Sequence, residues 1–99
     1  MPKPAATLEA AEIAKRLHEA LGHEQVSVKP YGAHFLIQIE DEAGLDTVAR
    51  ITKHNARTWS AAFKSHTGRW EPLPDEGSRD DMVALVVEEL GPYLDQSNY

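Results

Sequence analysis

The chain has 99 residues, ten Lys and Arg against sixteen Asp and Glu, a net charge of −6, and no cysteine. A chain this long buries about 65% of the surface its unfolded form exposes, enough for one small core in one domain. The missing cysteines exclude disulfides, thiolate metal sites and cysteine nucleophiles, and they point to a reducing, cytoplasmic setting.

Residues 1–6 hold two prolines and no periodicity, and read as a loose tail. Thr7 is a candidate N-cap, with Glu9 in the first helical turn. Ala10, Ile13, Ala14, Leu17, Ala20 and Leu21 form one helical stripe, and Gly22 is its expected C-cap. The period then changes to two. Val26 and Val28 alternate with polar residues, Pro30-Tyr31-Gly32 is turn chemistry, and Phe35, Ile37 and Ile39 alternate again. These features predict an antiparallel hairpin. Asp41 to Asp46 reads as an acidic loop.

Between residues 47 and 73 the pattern fits strands over Thr47–Lys53 and Thr58–Lys64, although Trp59, Ala62, Phe63 and His66 also fit a short helix closed by Gly68. The strand reading is preferred, because Thr67-Gly68 looks like a turn into a short edge segment ended by Pro72 and Pro74. Ser78 with Asp81 makes a variant capping box for a last helix. Met82, Leu85, Val86 and Leu90 form its inner stripe, Gly91-Pro92 ends its regular part, and residues 95–99 read as a frayed end. The predicted fold is α+β, order α-β-β-β-β-α: about four antiparallel strands in a meander, with both helices in a two-layer sandwich.

No phosphate-binding loop, dinucleotide fingerprint or nucleophile elbow occurs, so no enzymatic activity is expected. His18, His23, His34, His54 and His66 have no ligand spacing and read as surface imidazoles. The acidic clusters at residues 40–46 and 75–81 lack the spacing of a calcium loop, and the second sits at a helix N-terminus. No metal, cofactor or membrane association is expected. There is also no apolar run of membrane-spanning length.

Charge is segregated. Residues 47–70 carry Arg50, Lys53, Arg57, Lys64 and Arg69 and no acid, with Trp59 and Trp70 among them. Such interleaving suits phosphate and base contacts, which gives one functional reading. In it, nucleic acid or another anion is held by Lys53, Arg57, Lys64, His66, Arg69 and Trp70. The element order is similar to that of double-stranded RNA-binding domains, whose final helix starts with phosphate-gripping lysines. Here that position holds Asp75, Glu76, Asp80 and Asp81, which repel phosphate. The preferred reading is a small protein-binding module (an adaptor, an inhibitor or an immunity-type partner) that docks on another protein or on a second copy of itself. Its contact residues would be Leu36, Arg69, Trp70 and Leu73, since Trp and Arg dominate interface hot spots and Pro72 pre-orders the segment.

Overall fold

A computed structural model describes residues 5–22, 24–41, 44–65 and 67–94. Helix α1 (Ala5–Leu21) is followed by strands β1 (Val26–Tyr31), β2 (His34–Asp41), β3 (Gly44–Lys53), β4 (Trp59–Lys64) and β5 (Trp70–Gly77), then by helix α2 (Arg79–Leu94). The strands form one antiparallel sheet in the order β1-β2-β3-β4-β5. The fold is α+β, with both helices flanking one sheet. It has one strand more than the four or so that alternation predicts.

The helical stripe places Ala10, Ile13 and Leu17 in the core. The helix begins at Ala5, ahead of the expected cap, so Thr7 lies within the first turn and Glu9 beyond it. Glu9 instead accepts a 3.1 Å ion pair from Lys53 on β3. Gly22, at φ 79°, closes α1 with a bond from its N–H to the His18 carbonyl. The His18 ring also meets the Val26 carbonyl at 2.6 Å and so ties α1 to the first residue of β1.

The β1–β2 turn is Gly32-Ala33, with Pro30 and Tyr31 still in the ladder. A glycine at φ 60° followed by a residue of negative φ matches the twist that hairpin strands require. The expected acidic loop is mostly strand. Asp41 pairs with Gly44, Glu40 with Leu45 and Ile39 with Asp46, because the backbone ladder is indifferent to the charged side chains beside it. A bulge between Ile37 and Gln38 leaves Val48 as the extra residue of β3. The β3–β4 turn is held by Asn55, whose Oδ1 accepts from the N–H groups of Arg57 and Thr58, each at 2.9 Å.

The prolines do not end the ladder as expected, since β5 runs through Pro72 and Pro74 to Gly77. It can do so because it is an edge strand, where a missing N–H faces solvent, and because its pairing slips between Ser60 and Ala62. At the entry to α2 the capping box forms in both directions. Asp81 N–H donates to Ser78 Oγ and Ser78 N–H to Asp81 Oδ2, each at 3.1 Å. Gly77 precedes it because a Cβ there would lie 2.8 Å from Asp81 Oδ2. Ser78→Ala should cost about 1 kcal/mol of stability, read as a lower urea midpoint at unchanged slope. A cost near zero would mean the cap contributes nothing.

Both helices lie on one face of the sheet: α1 against β1 and α2, and α2 across β3, β4 and β5. Between them sits the core, built on Phe35, Ile37, Ile39, Ala49, Ile51, Trp59 and Ala61 from the strands and Met82, Val86 and Leu90 from α2. Trp59 is 2% exposed, with the Phe35 ring centroid 5.6 Å from its own. Arg16 joins the helices through Asp80 at 3.1 Å. Among the described residues, no helix is long and apolar enough to cross a membrane. Of the expected tails 1–6 and 95–99, Ala5 and Ala6 instead open α1, while residues 1–4 and 95–99 lie outside the described residues, as do His23 and His66.

Candidate functional site

The opposite face of the sheet carries neither of the two described helices. Strand alternation puts Phe35, Ile37 and Ile39 under the helices and therefore turns His34, Leu36, Gln38 and Glu40 outward. Cross-strand pairing carries this face through the sheet. Lys29 pairs with Leu36, Leu36 with Arg50, Arg50 with Ala62 and Ala62 with Pro72, while Trp70 lies opposite Lys64. This row has an apolar centre in Leu36, Ala62, Pro72 and Trp70.

Arg50 organises that centre. Its guanidinium carbon lies 4.5 Å from the centroid of the half-buried Trp70 ring. Such a contact contributes about 0.5–1 kcal/mol at exposed sites and about 2 kcal/mol or more when desolvated. Ala62, beside Arg50 and Pro72 in the row, is buried, yet it does not belong to the core beneath the helices. The outer face thus has a small packed cluster of its own. Arg50 Nε–H is enclosed there without an acceptor, and no described carboxylate lies within ion-pairing distance of Arg50.

Polar residues frame the cluster. His34 Nδ1 is 2.8 Å from Thr52 Oγ1, Gln38 donates to Thr47 Oγ1 at 3.0 Å, and His54 Nε2 is 2.7 Å from Ser60 Oγ. Partial burial, then the charges of Arg50 and His54, hold His34 below the ordinary imidazole value of 6.5. The unfolded chain therefore binds this proton more readily than the folded one. His34 favours folding above pH 6.5 and loses that contribution as pH falls from there through the folded value. Its ring protons should titrate with a midpoint below 6.5, and Arg50→Gln should raise that midpoint. A midpoint at or above 6.5 in the native protein would contradict this geometry.

The residues singled out by sequence divide over the fold. Leu36 and Trp70 share the outer face, with β3 and β4 between their strands. Arg69 is exposed at the start of β5, in a turn where Ser65 N–H donates to its carbonyl at 2.8 Å. Leu73 does not join them. It packs against the core under the helices, because Trp70 and Pro72 face outward and strand alternation turns the residue after Pro72 inward. The basic set is also split. Lys53 is neutralised by Glu9 and lies 5.5 Å from the buried Trp59 ring. Arg57 is exposed in the β3–β4 turn, while Lys64 and Arg69 lie at the far end of β4, about 17–20 Å away. His66 lies outside the described residues. Arg50, the residue that joins Leu36 to Trp70, belongs to the basic stretch but not to the contact residues that the sequence suggests. Its position between Ala49 and Ile51, both buried, was the available signal that it points outward.

Comparison with protein-family models, with curated proteins and with solved structures finds no match to this chain.

Proposed function

We propose that this chain is a non-catalytic protein-binding module that works in the cytoplasm and docks through the face of its sheet opposite the helices. The observation that carries the reading is Trp70 lying half-buried beneath Arg50 on a face that neither described helix covers. Tryptophan and arginine at the centre of a partly packed patch are the residue types that dominate hot spots, and their mutual contact pre-orders both side chains. The bland alternative for this tryptophan, a place in the core beneath α2, has no support from its pairing opposite the exposed Lys64.

Charge narrows the partner. Arg50 and Lys64 have no described carboxylate within ion-pairing distance, so the centre of the face is positive. A protein surface with an apolar centre and carboxylates around it would satisfy both features. A second copy placed face to face would set these cations towards one another. Nucleic acid is less well served, because the cations it needs are split between the two ends of β4 and Lys53 is already paired. Capture from host lysate, with and without nuclease, should yield a protein partner that survives nuclease and weakens with salt. Amide shifts of the labelled chain on partner addition should map to the outward residues of β2 to β5. Loss of the capture on nuclease treatment would replace this reading with the nucleic-acid one.

A further inference from the structure

The helix side of the sheet carries a second candidate site beside α2. A cleft of about 570 Å³ opens between Leu90 of α2 and the strands. Its apolar wall is Val48, Phe63 and Leu90, and its rim carries Lys64, Arg69 and Glu71. Two local features create it. The bulge in β3 leaves Val48 unpaired and only partly covered, and Phe63 likewise remains half-buried at the margin of the core. The volume lies within the range of small-ligand cavities, roughly 300–1,000 Å³.

We propose that this cleft binds an apolar-bodied monocarboxylate. The wall offers three apolar side chains to the body of such a molecule. Lys64 and Arg69 are exposed, and neither has a described carboxylate within ion-pairing distance, so both are available to its head. Glu71 likewise has no described cation within ion-pairing distance, and it decides the charge of the ligand. Among the described lining residues two cations and one carboxylate sum to a single positive charge, which a monoanion neutralises, whereas a phosphate dianion would keep one charge unneutralised and costs more to desolvate. The Ser65 and Thr67 hydroxyls are 2.8 Å from each other, and Arg69 N–H donates to Ser65 Oγ at 3.3 Å. The turn that carries Arg69 is thereby pre-ordered beside the cleft. The wall of this cleft lies on the opposite side of the sheet from Trp70, but Lys64 pairs with Trp70 and borders both sites, so Arg69→Gln alone separates this proposal from the protein-binding reading.

The test is an amide-shift titration of the full chain with decanoate below its micelle-forming concentration, with decanol and acetate as arms lacking the charge and the body. A naphthoate arm distinguishes a ring from a flexible chain as the favoured body. Decanoate or naphthoate should give saturable shifts at Val48, Phe63 to Ser65, Arg69 to Glu71 and Leu90, while acetate gives none and decanol binds more weakly. The double change Lys64→Gln with Arg69→Gln, both exposed and remote from the core, should weaken binding about tenfold, and Glu71→Gln should strengthen it. The proposal is overturned if neither carboxylate gives saturable shifts, if the shifts fall elsewhere, or if decanol binds as well as decanoate. It is equally overturned if, in the free protein, proton contacts between residues 95–99 and Phe63 give the cleft to the chain's own end.

Discussion

Trp70→Ala is expected to abolish partner capture while costing little stability. Removing an interface anchor of this kind costs about 2 kcal/mol of binding or more, a loss of about 30-fold in affinity. The ring is half-buried, so the folded state loses the Arg50 contact and part of one burial, about 1–2 kcal/mol together. Binding by calorimetry and thermal melting of the same sample separate the two effects. Leu73→Ala is the matched control. It lies near Trp70 in the chain but packs inward, so it should lower stability and leave capture intact. Capture unchanged by Trp70→Ala would remove the outer face as the docking surface, and capture lost in Leu73→Ala would point to general destabilisation instead.

Trp59→Ala should have the opposite profile. This ring is buried against Phe35 and under the Lys53 ammonium, and its loss leaves a cavity at the centre of the core. Truncating a buried Trp costs about 3–5 kcal/mol. A protein of this class has only about 5–15 kcal/mol to lose, so the variant should be close to unfolded at body temperature. Urea unfolding followed by circular dichroism, which does not depend on the missing fluorophore, gives the number. A cost below about 1 kcal/mol would mean that the core closes around the gap and that Trp59 is not central to it. Trp59→Phe should fall between the two, since it keeps an apolar ring but leaves the Lys53 ammonium a weaker π-face.

These two tryptophans show how far local pattern reaches. Trp59 was readable as core because it alternates with Ala61 and Phe63 in an uninterrupted strand. Trp70 was not readable as either exposed or buried, because the Pro72 and Pro74 that follow it break the alternation that would have assigned its face. Its placement comes from the β4–β5 register, in which Lys64 is its partner. Leu73, three residues further along the strand, then falls on the opposite face by alternation, against expectation. Arg50 was missed for a related reason. A single arginine in a basic stretch carries no sign of the ring it will stack on, since that ring is twenty residues away and arrives by way of two further strands.

The amino-acid sequence alone determined the two helical stripes, the period-two segments between them, the Ser78 capping box and the α+β class. All of these depend on side chains a few residues apart, where chain geometry fixes which positions share a face. Tertiary structure decided the rest. It extended the meander to a fifth strand, because an edge position tolerates prolines that a central one would reject. It also split the basic segment, placing Lys53 against Glu9 and Arg50 over Trp70. Strand pairing and helix docking bring such residues together across long stretches of chain, and the charge of a segment does not record which neighbours its side chains will meet.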